Sequence, residues 1–254
     1  MKLKSKLLLA LLATSSAAFA QTAPAAPETT IGYNVGVVSE YRYRGQAQTK
    51  GDPALQGGVD YANANGFYLG AWGSTIKWIK DSAATTGPST KGPVELDIYG
   101  GYKFEAAGFG FDVGYLRYEY LGNTLKNNTA YVNANTDEIY GAATYGVTTL
   151  KYSYALSDLF GNANSKGSVY WDLSATFDLG DGYSLVPHAG HQTVRNNANS
   201  YTDIALTLNK DFGDGIVGSV SAISTNGVKA NFASALTGYD TSKNTVVVGV
   251  KYSF

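Results

Sequence analysis

Apolar side chains occupy every second position through most of this 254-residue chain, and the pattern continues to its last residue, Phe254. In the closing stretch TVVVGVKYSF the apolar phase consists of Val246, Val248, Val250, Tyr252 and Phe254. Alternation with a period of two is typical of a β-strand with one face in an apolar medium. Chain ends usually fray, because a few residues bury too little surface to offset the backbone entropy of ordering them. The pattern at this end therefore predicts a terminal strand with a structural role.

The same alternation predicts twelve strands, at 31–44, 54–62, 67–76, 94–104, 109–120, 137–145, 147–155, 168–179, 183–192, 201–210, 215–224 and 244–254. The connections between them are short and long in strict turn. A soluble sandwich has no reason to sort its loops by length, whereas an outer-membrane barrel has short periplasmic turns and long external loops. The fold class predicted is all-β, a transmembrane antiparallel up-and-down β-barrel of about 12 strands with both termini on the periplasmic side.

A further feature favours lipid rather than a protein core on the apolar side. Tyr33 and Tyr43 lie in the apolar phase of the first predicted strand, and ten tilted residues span about 25 Å along a barrel axis. That is the height of an outer-membrane apolar band with an aromatic girdle at each edge. An open sheet edge cannot lie in hydrocarbon, so the last strand is expected to pair with the first.

The first residues have the features of an export signal. Lys2, Lys4 and Lys6 precede the apolar run LLLALL and an A-x-A cleavage pattern that ends at Ala20. We therefore predict a signal peptide at 1–20, a flexible periplasmic leader at 21–30 and the barrel at 31–254. Three of the 19 Lys and Arg residues lie in that peptide, which leaves 16 against 20 Asp and Glu and argues against nucleic acid as a partner. The chain contains no cysteine, so it has no disulfide scaffold.

The segment 38–74 resembles the opening of the TorF-like family of proteobacterial porins, also called Gcw_chp. The similarity is clearest over YRYRG at 41–45, GDPALQGG at 51–58 and GFY at 66–68. ELDIYGGYKF, DEIYGA and HAGHQ extend it more weakly through the chain. The resemblance implies a β-barrel of the bacterial outer membrane that acts as a porin. It implies no catalytic residues and no cofactor.

A pore would be lined by the charged residues of the opposite phase: Glu40, Arg42, Arg44, Asp60, Glu95, Asp97, Lys103, Asp112, Lys151, Asp172, Asp203 and Lys251. Acids outnumber bases among them, and this predicts a weak preference for cations. Arg42 and Arg44 lie in this charged phase, close to the first external loop, and are candidates for the mouth of an anion-binding site. The alternative is that all these charges pair across neighbouring strands and only fill the interior.

Twelve tilted strands imply a backbone cylinder of roughly 24 Å diameter. After side chains are added, ions or small polar solutes would still fit through such a barrel. A folded-in loop would close it, and the long loops 77–93 and 225–243 are the candidates. Tyr252 and Phe254 resemble the C-terminal signal that the barrel assembly machinery reads, and the expected surroundings are outer-membrane lipid and lipopolysaccharide.

Two other classes of function remain open at this stage. An outer-membrane hydrolase would need a catalytic site, but the chain contains no G-x-S-x-G motif. His188 and His191 are three residues apart on a predicted strand and should face opposite sides. A structural or adhesive barrel would need a partner site in its loops, which are rich in Asn, Thr and Gly. The favoured prediction is a channel for passive diffusion of ions or small polar solutes.

Overall fold

A computed structural model of the chain describes residues 29–227 and 229–254. Their strands are β1 (Thr29–Val38), β2 (Arg42–Tyr43), β3 (Gln46–Ala47), β4 (Ala54–Asn63), β5 (Phe67–Thr75), β6 (Val94–Ala106), β7 (Phe109–Leu121), β8 (Thr136–Tyr145), β9 (Thr148–Ala155), β10 (Val169–Ala175), β11 (Phe177–Gly180), β12 (Tyr183–Thr193), β13 (Tyr201–Gly213), β14 (Ile216–Thr225) and β15 (Thr245–Ser253). Two four-residue helices, α1 (Trp78–Asp81) and α2 (Lys229–Phe232), and one 3₁₀ turn, η1 (Leu125–Asn127), lie in the loops. Within these described ranges, no helix is long and apolar enough to cross a membrane.

The sheet closes on itself as an antiparallel barrel of twelve strands. Successive strands pair around the cylinder, and β10 and β11 are two parts of one barrel strand, both paired with β12. Strands β2 and β3 are outside this sheet and form a separate hairpin. The predicted fold class is therefore confirmed, with short turns at the end that carries the C-terminus and long loops at the other.

The first and last strands close the cylinder. β15 pairs with β1 on one side and with β14 on the other. At the chain end, Tyr33 N–H donates to the Phe254 carbonyl at 2.9 Å, and Phe254 N–H donates back to Tyr33 at 3.0 Å. The two rings stack with centroids 5.7 Å apart. The last residue is therefore part of the barrel wall.

The outer surface of the barrel is apolar. Large side chains of the odd-numbered phase of β1 and of the even-numbered phase of β15 are 43–62% exposed: Ile31, Tyr33, Val35, Val37, Val246, Val248, Val250 and Tyr252. The alternate residues on the same strands face the interior, and Val38, Val247 and Lys251 among them are buried. An exposed apolar belt around a closed, polar-lined barrel is typical of outer-membrane proteins.

The first strand is shorter than the sequence pattern predicts. β1 ends at Val38 rather than at residue 44, and the chain then turns into the barrel. Tyr43 consequently does not mark an aromatic girdle in lipid, as the alternation predicts; its ring packs inside against Tyr118 at 5.6 Å. The alternation continues past Val38 because an interior hairpin follows, and a hairpin alternates like a wall strand.

The predicted boundaries at the N-terminus are only partly within the described structure. The signal peptide 1–20 and most of the leader 21–30 lie outside the described residues. The last two leader residues, Thr29 and Thr30, form the start of β1 and pair with Asn63 and Ala62 of β4.

Candidate functional site

The loop between β1 and β4, residues 39–53, crosses the inside of the barrel, and we call it the plug. Its hairpin of β2 and β3 turns at Arg44 and Gly45, which have positive φ values of 45° and 76°. These are the backbone angles of a two-residue hairpin turn. A Cβ on Gly45 would lie 2.6 Å from the Cβ of Asp203 on β13. The tip of the plug is therefore pressed against β13, where only glycine fits.

Arg44 fastens the plug to that wall. Its guanidinium donates to both carboxylate oxygens of Glu138 on β8, at 2.7 and 2.9 Å, and to the amide oxygen of Gln192 on β12 at 2.8 Å. It also lies 4.3 Å from the centre of the Tyr170 ring. Burial disfavours the charge, but Glu138 raises the pKa of Arg44 well above its ordinary value. Arg44 is therefore a permanent, charge-paired anchor.

A second ion pair holds the base of the plug. Arg42 donates to Glu40 at 2.8 Å and to the backbone carbonyls of Thr241 and Lys243 at 2.8 and 3.0 Å. Glu40 in turn accepts a hydrogen bond from the hydroxyl of Tyr239 at 2.6 Å. The loop that precedes β15 is thus connected to the plug. Loop 225–243, one of the two predicted closing loops, is bonded to the plug in this way, whereas the segment that enters the barrel is 39–53.

Two tyrosines of the plug bind the wall at β6 and β7. Tyr41 donates its hydroxyl to Glu95 of β6 at 2.8 Å, and the Tyr43 hydroxyl bonds to that of Tyr118 on β7. Burial is the main cause that raises the pKa of both plug tyrosines, so both remain neutral hydroxyl donors. The plug therefore has polar bonds to opposite sides of the barrel.

Beyond the plug, toward the short turns, the inner wall carries acids bonded to tyrosines. Tyr99 donates to Asp60 at 2.5 Å, and Tyr68 donates to Asp112 at 2.6 Å. All four side chains are partly exposed to the interior. The carboxylates are therefore oriented by hydroxyl groups and still face open space.

One histidine lies between two acids on this wall. The ring nitrogens of His188 on β12 are each 3.4 Å from a carboxylate oxygen, one of Asp172 on β10 and one of Asp203 on β13. Asp203 also accepts a hydrogen bond from Tyr170 at 3.0 Å. His191 points outward and contacts Thr202, so the two histidines face opposite sides as predicted. In the described part of the chain, no group of three or more His, Asp or Glu side chains is placed to hold a metal ion.

The structure places all of the predicted pore residues inside the barrel, in two different ways. Glu40, Arg42 and Arg44 reach the interior on the plug rather than on a wall strand. The other members project inward from the wall: Asp60, Glu95, Asp97, Lys103, Asp112, Lys151, Asp172, Asp203 and Lys251. Lys151 lies 3.9 Å from the centre of the Tyr140 ring, and Lys103 lies 4.9 Å from that of Tyr68.

Sequence reasoning misses Glu138, which anchors the plug. It follows Asp137, an acid of the outward phase that pairs with Arg117 at 2.9 Å. Two adjacent acids conceal the alternation, so the strand phase is ambiguous there. The signal that identifies Glu138 is its register with Tyr140, Ala142 and Thr144, all of which face inward.

The interior tyrosines lie flat on glycines of neighbouring strands. A Cβ on Gly190 would lie 1.9 Å from the hydroxyl of Tyr170, and one on Gly70 would lie 2.4 Å from the ring of Tyr99. Gly101 and Gly114 are in similar contact with Tyr68 and Tyr140. This packing keeps large rings against the wall and requires glycine at these four positions.

Comparison with known proteins gives a family and a fold. Residues 21–254 match the family model described as "Bacterial protein of unknown function (Gcw_chp)". Among curated proteins, none matches the chain in sequence.

The solved structures of similar fold include three outer-membrane channel proteins. The KdgM porin in complex with disordered oligogalacturonate superposes with a TM-score of 0.53 at 11% identity, over 89% of this chain and 99% of that one. The NanC porin superposes with a TM-score of 0.52 at 11% identity, over 88% of this chain and 99% of that one. The COG4313 outer membrane channel from Pseudomonas putida F1 superposes with a TM-score of 0.52 at 14% identity, over 90% of this chain and 96% of that one. The fold is therefore that of outer-membrane channel proteins.

Proposed function

Because the chain belongs to the Gcw_chp family and folds as a closed barrel with an apolar outer belt, we propose that it is an outer-membrane channel for passive diffusion of small solutes. The observation that carries this proposal is the inner wall. It is lined by carboxylates, lysines and tyrosine hydroxyls from the plug toward the short turns. A barrel with only a structural role needs no such charged, partly exposed interior, since packed side chains would stabilise it better.

The plug makes this a gated channel rather than an open one. Arg42 and Arg44 are buried, and the hairpin between β2 and β3 connects opposite walls. Because this hairpin crosses the interior, the plug must shift for a solute to pass. A loop of 15 residues held by a few polar bonds can act as a two-state element.

The charge of the interior favours cations and neutral solutes. The aspartates of the inner wall outnumber its lysines; they are Asp60, Asp97, Asp112, Asp172 and Asp203. The KdgM porin was solved with oligogalacturonate, which is a polyanion. A wall of this sign would repel a polyanion, so we infer that small polar solutes without negative charge are the substrates.

The surroundings and the assembly route are part of the same proposal. The apolar belt faces outer-membrane lipid and, at its outer edge, lipopolysaccharide. Tyr252 and Phe254 present aromatic rings at the end of β15, where the barrel assembly machinery would read them. The predicted leader 21–30 would then lie on the periplasmic side.

Conductance of the purified mature protein in a planar lipid bilayer tests the channel. The folded barrel is first verified by its heat-dependent gel mobility. Discrete current steps, with a reversal potential of cationic sign in a KCl gradient, are the expected result. A folded and inserted barrel that passes no current, even at voltages that displace loops in other barrels, would contradict the proposal.

A further inference from the structure

A cavity of about 190 Å³ lies among the external loops, on the outer side of the plug. Six segments contribute to it: the plug, the loops around α1 and η1, the loop before β10, the loop before β13, and the loop around α2. Most of the lining side chains are aromatic or carry an amide. The aromatic ones are Tyr43, Trp78, Tyr120, Tyr131, Phe160, Tyr201, Phe232 and Tyr239, and the amides are Gln46, Gln48, Asn162, Gln192, Asn199 and Asn231.

The size of the cavity suits one six-membered ring. A protein cavity of about 150 Å³ holds a benzene molecule, and this one is slightly larger. Ligand sites generally combine aromatic and apolar walls with a few polar groups that fix orientation. The loops are joined around the cavity by direct bonds, such as that from the Ser234 hydroxyl to the Asp81 carbonyl at 2.5 Å and that from the Val132 N–H to the Gly161 carbonyl at 2.9 Å. The site is therefore preformed.

The charge of the cavity differs from that of the inner wall. Its charged lining residues are one base, Lys50, and one acid, Asp81. Burial raises the pKa of Asp81 above its ordinary value. A ligand with a net charge would gain little here. Aromatic faces suit the C–H surface of a sugar ring, and amides suit its hydroxyl groups.

Two of the lining residues have a buried hydrogen-bond donor without an acceptor. Trp78 Nε1 and Gln46 Nε2 are buried donors with no partner among the described residues. Leaving a buried donor unpaired costs about 1–3 kcal/mol. A rotation of either side chain that turns its donor into the cavity would let a ligand hydroxyl oxygen remove that cost.

We propose that this cavity binds one ring of a neutral saccharide. The inference rests on the proposed channel function, because it identifies the solute class met at the outer mouth. Tyr43, Gln46 and Lys50 belong to the plug and line the cavity, so an occupying ring contacts the element that must move. A solute bound at this site would therefore contact the plug directly.

Titration of the folded full-length mature protein with single sugars tests the site. Glucose, galactose and mannose are the neutral probes, and glucuronate and glucosamine are the charged ones. Phenol is a six-membered ring with a single hydroxyl group and tests whether the other hydroxyl groups matter. Binding is measured by intrinsic tryptophan fluorescence, with Trp78 as the reporter in the wall, and by calorimetry. At least one neutral sugar should bind saturably, with an affinity at least ten times that of the charged sugars and of phenol.

Two variants and one control locate the binding. Tyr131→Ala removes a ring from the wall, and Gln46→Met removes an amide donor at similar size; each should weaken binding at least tenfold. Trp171→Phe changes a ring on the outer face that is 46% exposed and should leave binding unchanged. Heat-dependent gel mobility shows for each variant that the barrel is folded.

The outcomes separate the two proposals. Preferred binding of glucuronate, glucosamine or phenol would overturn the neutral-saccharide assignment. Absence of any binding to a protein that conducts would overturn this inference and leave the channel standing. Binding that both variants weaken, in a protein that never conducts, would support the site and contradict the channel.

Discussion

At the scale of single residues, Arg44 is the side chain that anchors the plug to the barrel wall. It sits at the tip of a two-residue turn and reaches Glu138 and Gln192 on the wall opposite to the strand from which the plug starts. No other side chain of the plug makes a paired, two-oxygen contact with a wall carboxylate in the described residues. Removing one partner of a buried ion pair leaves the other uncompensated, which costs about 3–5 kcal/mol.

The first prediction follows for Arg44→Ala. The closed position of the plug should lose about 3–5 kcal/mol relative to displaced positions, so we expect more frequent openings and a larger mean conductance in planar bilayers. Arg44→Lys keeps the charge but loses the two-oxygen geometry, so its mean conductance should lie between those of the native protein and Arg44→Ala. Lys126→Ala, at an exposed loop position, is the control. Equal conductance in all four proteins would show that the plug does not limit the current.

A second prediction concerns the carboxylates of the inner wall. The double change Asp60→Asn with Asp112→Asn removes two charges but keeps acceptors for Tyr99 and Tyr68. The cation-to-anion permeability ratio should then fall toward unity by about a factor of two, as measured from the reversal potential in a KCl gradient. Asp214→Asn, in an exposed turn, should not change the ratio. A ratio unaffected by the double change would mean that these acids are outside the ion path.

At the scale of elements, the strands and the plug differ in how far the sequence determines them. The twelve wall strands were predictable because each has one face in an apolar medium, and a one-residue slip would reverse every side chain. The predicted starts and ends of most strands lie within one to three residues of the observed ones, as for β4, predicted at 54–62 and observed at Ala54–Asn63.

The plug was not predictable in the same way. Arg44-Gly45 forms the turn, but this pair is a weaker turn signal than Asn-Gly or Asp-Gly, and the alternation of Tyr41 and Tyr43 with Arg42 and Arg44 imitates a wall strand. The contact that selects the interior position is between Arg44 and Glu138, 94 residues apart. Alternation within a short window carries no information on such a contact. The charges were therefore recognised as interior, while the element that carries them was misassigned.

The fit between interior tyrosines and glycines gives a third prediction. Gly190→Ala places a methyl group where the Tyr170 hydroxyl now lies, so Tyr170 must leave both Asp203 and the face of Arg44. Overpacking of this kind costs about 1–3 kcal/mol, and we expect a lower urea midpoint for loss of the folded form on gels. Gly141→Ala is the matched control, because no heavy atom lies within 4 Å of a Cβ there. An unchanged midpoint for Gly190→Ala would show that Tyr170 has room to move.

At the scale of the whole molecule, the barrel exists only once β15 has joined β1. Every other strand can pair with its sequence neighbour, whereas this seam connects the two ends of the chain, and loop-closure entropy makes such a contact slow to form. The bonds between Tyr33 and Phe254 lie at the end of this seam. They are backbone bonds, so the seam itself does not require an aromatic ring at position 254.

The aromatic ring of Phe254 therefore has a separable role, and Phe254→Ala tests it. The substitution keeps both backbone bonds with Tyr33 and loses only the stacking on Tyr33 and Tyr252, which contributes about 0.5–1.5 kcal/mol per pair. Unaided refolding in detergent should remain close to that of the native chain. If the assembly machinery reads this ring, the folded fraction in cell membranes should fall several-fold. Phe212→Ala is the control, since Phe212 is 66% exposed and Phe254 is 64% exposed at the same end of the barrel, and it should assemble normally. If Phe254→Ala lowered unaided refolding as much as it lowers the folded fraction in cells, the ring would instead stabilise the seam. Loss of a recognition signal alone lowers assembly in cells and leaves unaided refolding unchanged.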